Sequence, residues 1–214
     1  LWIGASNPRK GYEHIILAWE RFTRDHPEEA ANSKIIMKTT QVTREERLVS
    51  YPVHLSNGGV AETYVDTRDY SKENLINLYA IGHCFLFPTM GEGWGLTMHE
   101  AAATGLPIIY TPYSAPTDWF KKDHGYPLRF RMKDIKTEGK DGQIVHETSA
   151  ASADVDDLVK KMVRVYHNWE DAKRRGRKAS EHVKTITWDR SAQEFLDKIR
   201  PHYEAWKKQQ EAVA

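Results

Sequence analysis

The sequence predicts an α/β fold, a parallel sheet with helices on both faces, because short apolar runs recur along it and amphipathic helical stretches separate them. Its 214 residues suit one such domain and are too few for two. Strands are expected at residues 1–4, 34–39, 63–67, 84–88, 107–110 and 126–130. The first helix spans 12–25, where Ile15, Ile16, Trp19 and Phe22 form one stripe. Ser71 is placed to N-cap a second helix that carries Leu75, Leu78 and Tyr79 on one face. A third runs over 95–104, and Gly105-Leu106-Pro107 ends it. Residues 40–60 are poorly patterned, with a short helix expected at 43–49 and a turn at Asn57-Gly58-Gly59. Residues 131–152 are polar and Gly-bearing, which suggests an exposed loop or small hairpin. From Asp154 the chain reads as helical throughout. Leu158, Met162, Val165, Tyr166 and Trp169 make one stripe, and Phe195, Leu196, Ile199, Tyr203 and Trp206 another. Pro201 should kink or interrupt the last helix.

Composition narrows the function. Hydrophobic residues make up 40% of the chain, enough for a real core, and 31 basic against 30 acidic residues leave no global pull toward nucleic acid or membrane. Cys84, the one cysteine, cannot form an internal disulfide and lies in the apolar run Cys84-Phe85-Leu86-Phe87. A buried, inert thiol in a reducing, cytoplasmic setting is expected. No apolar stretch nears the roughly 18 residues of a membrane span, and no signal peptide opens the chain. Leu1-Trp2-Ile3-Gly4 reads as a core strand already under way, as expected of a fragment or processed product. The basic segment 173–178 reads as a solvated helix face, with peripheral attraction to acidic lipid or polymer as the alternative.

Ligands of open α/β sheets bind where strands end and loops lead into helices. Two such loops are chemically unusual. Gly4-Ala5-Ser6-Asn7-Pro8-Arg9-Lys10-Gly11 combines small residues with two cations at a helix N-terminus. Those are the ingredients of a phosphate site; a solvated turn with incidental charges is the other reading. The second loop follows Pro88 and reads Thr89-Met90-Gly91-Glu92-Gly93-Trp94-Gly95-Leu96-Thr97-Met98-His99-Glu100. The free amides of Gly95, Leu96 and Thr97 can receive an anion, aided by the helix dipole. Glu100 lies about one turn into that helix, and helical side chains lean toward the N-terminus. A carboxylate beside a phosphate is repelled, so Glu100 should accept hydrogen bonds from neutral hydroxyls such as a ribose diol. Each such bond contributes roughly 1.5–3 kcal/mol. Glu92 is placed for hydroxyls farther out, such as those of a sugar beyond a second phosphate.

Other patterns carry less. Gly91-x-Gly93-x-Gly95 lacks the spacing of a dinucleotide fingerprint. His99-Glu100 is no zinc helix, because Ala103 stands where a second histidine would be. No histidine cluster suggests a metal, and none is expected. His99 reads as packing or surface. His124 is a loop residue, with contact to a second substrate as the alternative, and Trp94 either packs the Gly-rich turn or touches ligand.

The two glutamates separated by seven residues, as Glu92-Gly93-Trp94-Gly95-Leu96 and then Glu100-Ala101-Ala102, followed by Gly105-Leu106-Pro107, resemble the donor-site signature of glycosyltransferase family 4. The resemblance extends over nearly the whole chain. Pro8-Arg9-Lys10-Gly11 is similar to the family's phosphate loop, residues 75–88 to the helix and strand before the signature, and Ser114-Ala115-Pro116-Thr117-Asp118 to the loop after the next strand. One departure stands out. Family members often carry an arginine just after the loop's first glycine, where this chain has Ala5 and Ser6; Arg9 is the candidate substitute.

The resemblance implies a Rossmann-like domain at 1–187, the C-terminal half of a GT-B fold, and a helical extension at 188–214 that packs toward a missing N-terminal domain. It implies a retaining glycosyltransferase using a nucleoside-diphosphate sugar, with no cofactor and no catalytic metal. Lys10 and the amides of Gly95, Leu96 and Thr97 would hold the diphosphate, with Gly4, Arg9, Gly93 and Trp94 also among the nucleotide-binding residues. Glu100 would hold the ribose, the backbone around Asp69, Tyr70 and Ser71 the base, and Glu92 the sugar, with Glu92 and Lys10 in the catalytic roles. The acceptor, a glycan, lipid or other small molecule, would be bound mainly by the absent half, leaving the isolated chain inactive. Alternatives are another GT-B enzyme, an epimerase or phosphorylase, or a non-catalytic module that binds a nucleotide sugar.

Overall fold

A computed structural model describes residues 1–39, 48–138 and 144–213. In chain order, β1 (Trp2–Ile3) leads through a 3₁₀ turn to α1 (Tyr12–Asp25) and α2 (Pro27–Ala31). β2 (Lys34–Lys38), β3 (Leu48–His54) and β4 (Val60–Asp66) follow, then α3 (Lys72–Ala80), β5 (Phe85–Phe87), α4 (Leu96–Ala103), β6 (Ile108–Tyr110), α5 (Pro116–Trp119) and β7 (Tyr126–Pro127). β8 (Phe130–Glu138) and β9 (Ile144–Ala153) precede α6 (Val155–His167), α7 (Trp169–Val183) and α8 (Trp188–Val213).

β1, β2 and β4 pair in parallel and β3 adds an antiparallel edge, giving the order β1-β2-β4-β3; β5, β6 and β7 form a second parallel set. Leu1 joins the two. Its amine donates to the Cys84 carbonyl at 2.8 Å, and the Leu86 amide donates to the Leu1 carbonyl at 2.8 Å. The continuous order is therefore β3-β4-β2-β1-β5-β6-β7. From β1 the chain first builds one wing and then crosses back to build the other, which places a topological switch point between β1 and β5.

Alternation along the strands divides the core in two. Trp2, Leu86 and Ile109 face a cluster with Ile15, Trp19 and Phe22 of α1 and Leu158 and Val165 of α6. Phe85, Phe87, Ile108 and Tyr110 face Met98 and Ala101 of α4 and Ala179 and Val183 of α7. Helices cover both faces, so every β5 and β6 residue is buried, and this is why those strands read as unbroken apolar runs.

Several expectations need correction. The strand expected at 126–130 stops at Pro127, and Phe130 already opens the β8–β9 hairpin. That hairpin is the outcome at 131–152, with register Phe130↔Ala153 to Lys133↔Ala150 and beyond. Of the helix expected at 43–49, residues 43–47 lie outside the described residues, while Leu48 and Val49 belong to β3. β3 pairs with β4 at a mostly exposed edge and contains Pro52, which an edge strand tolerates because its missing N–H faces water. Pro201 does not interrupt α8, which runs through it for 26 residues. The helix is exposed from Trp188 to Glu211, including Phe195, Leu196, Ile199, Tyr203 and Trp206. Cys84 is free and half-buried rather than buried, and desolvation pushes its thiol up to about 12. Among the described residues no helix is long and apolar enough to cross a membrane.

Candidate active site

The two loops singled out by their chemistry leave the neighbouring carboxyl ends of β1 and β5, at the switch point. Their packing is tight. The Met90 amide donates to the Arg9 carbonyl at 2.8 Å, and a Cβ built on Gly11 (φ 73°) would fall 2.1 Å from the Pro88 carbonyl oxygen. In the first loop the Asn7 side chain accepts from the Lys10 amide at 3.1 Å, and the Trp2 indole donates to the Lys10 carbonyl at 3.2 Å. Gly4 continues the β1 pairing, its amide donating to the Lys38 carbonyl at 3.0 Å.

These contacts carry Lys10 across to the Gly-rich turn. Its Nζ donates to both Glu92 carboxylate oxygens, at 2.8 and 2.9 Å. Arg9 comes from the same side: its guanidinium donates to the Gly91 carbonyl at 2.9 Å and lies 3.4 Å from Glu92. Lys10 and Glu92 read from sequence as contacts to different parts of a ligand. The structure brings them together, and Glu92, with a side chain 7% exposed, is nearly enclosed. Ser114 fixes this turn from the loop after β6. At φ 58° it is the one described non-glycine residue in the left-handed region, and its hydroxyl accepts from the Glu92 amide at 2.8 Å. Ser114 was seen in sequence only as part of a loop; nothing in the pattern marks its hydroxyl.

Gly95 (φ 87°) caps α4 without a side-chain hydrogen bond, leaving first-turn amides such as those of Leu96 and Thr97 outside the intrahelical ladder. Gly93 has open space where a Cβ would go, and Leu96 is exposed. Trp94 stacks on Trp119, with centroids 5.7 Å apart and planes within 16°, and donates to His99 Nδ1 at 3.2 Å. The Trp119 indole in turn donates to the Trp94 carbonyl at 3.0 Å. Trp94 and His99 thus brace the turn.

Glu100 leans back toward the helix start, as its position in the first turns requires. Its Oε2 accepts at 2.7 Å from the Tyr79 hydroxyl, which lies 3.2 Å from the Thr97 carbonyl. Burial, then the hydrogen bond to Glu100, raises the Tyr79 phenol well above its ordinary range, so it remains a donor. Tyr79 reads from sequence as a core residue of α3 and is one, but its hydroxyl reaches the site.

The loop after β4 closes the same edge. Asp69 is exposed, while Tyr70 donates to the buried Asp66 and lies under the Lys38 ammonium, 5.2 Å from its ring centroid. Arg68 donates to both Asp66 oxygens at 3.0 and 2.8 Å. Burial works to raise the Asp66 carboxyl, but the hydrogen bonds from Arg68 and Tyr70 outweigh it and hold it down at about 2. A depressed carboxyl contributes stability that is complete above its ordinary value of 3.8 and is lost as pH falls toward about 2. The stability gap between the natural protein and Asp66→Asn should therefore shrink between about pH 4 and pH 2 in denaturant melts. A constant gap across that window would refute the assignment. His124 lies apart, buried against Phe120 and His182. Among the described residues no group of three or more His, Cys, Asp or Glu is placed to hold a metal ion.

A family model described as "Family 4 Glycosyltransferase in conflict systems" matches residues 5–195. The chain belongs to that family. A comparison with curated proteins gives no significant match. Among solved structures, this family 4 chain is similar to sucrose-phosphate synthase from Thermosynechococcus elongatus, at TM-score 0.62 and 15% identity over 95% of this chain and 45% of that one. A TarM mutant from S. aureus, solved with Fondaparinux, alpha-GlcNAc-glycerol and UDP, gives 0.61 and 14% over 92% and 34%. A glycosyltransferase from Rickettsia africae ESF-5 gives 0.57 and 14% over 92% and 47%. At these identities the likeness establishes the fold, a GT-B-type α/β domain, and the family 4 chain spans less than half the length of each neighbour.

Proposed function

We propose that this chain is the donor-binding half of a retaining glycosyltransferase that transfers a sugar from a nucleoside-diphosphate sugar. The observation that carries the reading is the convergence, at one switch point, of Lys10 and Arg9 with the uncapped amides of α4 and two carboxylates, Glu92 and Glu100. Cations and oriented amides suit a diphosphate and its developing charge when the sugar departs. Glu100 is left to accept from a ribose, and the segment with Asp69 and Tyr70 to meet the base. The TarM mutant solved with UDP supports a nucleotide in a site of this fold. In this reading an N-terminal half binds the acceptor, and the exposed apolar stripe of α8 packs against that half.

Because the positive charge comes from the protein, binding should be independent of metal. In a thermal-shift panel of ADP, GDP, UDP, dTDP and their glucose esters, at least one base should stabilise the chain equally with and without a chelator. At a hundred times its dissociation constant the ligand should add roughly 2.7 kcal/mol. Stabilisation confined to samples with magnesium or manganese would overturn the metal-free site, and no stabilisation by any of the eight would overturn donor binding.

A further inference from the structure

The cations expected to hold the diphosphate are already occupied. Lys10 gives its charge to both oxygens of Glu92, at 2.8 and 2.9 Å, and Arg9 flanks the same carboxylate at 3.4 Å. The Glu92 side chain is 7% exposed and that of Lys10 23%, so the pair is largely withdrawn from water. A diphosphate arriving at the N-terminus of α4 would meet a carboxylate whose charge cancels that of the lysine. For the lysine to neutralise the phosphates it must leave Glu92.

Glu92 is anchored at its backbone. Its amide is held by the Ser114 hydroxyl at 2.8 Å, and its carbonyl accepts from the Ala115 amide at 3.4 Å. The long lysine side chain is the partner that swings. Once it has gone, an enclosed carboxylate keeps only the exposed Arg9 guanidinium, 3.4 Å away, a costly state unless new donors arrive. Sugar hydroxyls are such donors; a free diphosphate brings none.

We propose that Glu92 is an internal counter-ion and a specificity-determining residue that sets the affinity of the loaded sugar nucleotide against that of the free diphosphate. Lys10 exchanges Glu92 for phosphate, and the sugar compensates the carboxylate it leaves behind. When the sugar has been transferred, Glu92 loses its hydroxyl partners and competes for Lys10 again, which favours release of the spent nucleotide. This inference rests on the donor-binding reading and adds the competition within the site.

The test is calorimetric titration of the natural chain and Glu92→Gln with pyrophosphate, with the nucleoside diphosphates ADP, GDP, UDP and dTDP, and with their glucose esters. Glutamine keeps the size and removes the charge. Pyrophosphate and the diphosphate of the preferred base should bind Glu92→Gln about tenfold tighter, while the glucose ester is unchanged or weaker, so that the preference for the loaded donor collapses. Unchanged or weaker diphosphate binding by a folded Glu92→Gln would overturn the competition. If the natural chain binds neither pyrophosphate nor any diphosphate, the donor reading falls and takes the inference with it. Ser114→Gly keeps the carboxylate, removes the hydroxyl and relieves the φ of 58°. With its turn released, Glu92 can give way to an incoming phosphate, so this variant too should bind free diphosphate more tightly. It carries the test if Glu92→Gln does not fold, and unchanged or weaker binding by it would count against the proposal.

Discussion

Alanine at Gly11 is expected to destabilise the domain by about 3 kcal/mol or more, a fall of roughly 6–12 °C in melting temperature. Two penalties coincide there. The backbone sits at φ 73°, where a side chain is strained, and the new Cβ would stand 2.1 Å from the Pro88 carbonyl oxygen. A flexible side chain could yield; a peptide carbonyl can do so only if the loops after β1 and β5 part. Gly58→Ala isolates the first penalty, because Gly58 has φ 82° and open space where its Cβ would go. It should cost only about 1–2 kcal/mol. Equal losses at the two sites, read by thermal melts side by side, would show that the loops are not interlocked as described.

Lys10→Ala is expected to weaken nucleoside diphosphate binding by roughly 10- to 150-fold while leaving the affinity for the parent nucleoside nearly unchanged. A charge-assisted hydrogen bond of about 1.5–3 kcal/mol sets the scale. The loss should fall toward the lower end, because in the natural chain the lysine must leave Glu92 to meet the phosphates, and that exchange offsets part of its attraction to them. Arg9→Ala should be milder, since its side chain is 55% exposed and its shorter contact is to a backbone carbonyl. Titration of each variant with nucleoside and diphosphate checks this: parallel losses for both ligands in Lys10→Ala would move the lysine off the phosphate.

What the sequence revealed tracks the range over which its signals act. The central strands and α1, α4 and α6 were legible because burial on both sheet faces leaves apolar runs, and burial of one helix face leaves a stripe. The two site loops were legible because glycine, cation and carboxylate lie within a few residues of one another. The contacts that define the site were not, because they join distant segments: Lys10 and Glu92 are 82 residues apart, and Tyr79 and Glu100 are 21. β3 escaped because an exposed edge with Pro52 keeps no apolar pattern, and the length of β8 and β9 because β8 alternates in hydropathy only as far as Lys133 and β9 hardly at all. Asp66 and Arg68 each look ordinary alone; only their pairing with Tyr70 makes a network.

The separation of Lys10 from Glu92 also bears on when the site comes into being. Closing a loop of this length carries an entropic cost that local turns do not, and the cost is met by the docking of β1 beside β5. A nascent chain that has just emerged as far as β4 would hold the cationic loop with no carboxylate opposite it. The ion pair thus cannot form before β1 and β5 have met. Its formation reports that β1 and β5, one from each wing, have met, and a ligand that needs both loops would select for chains that have completed that step.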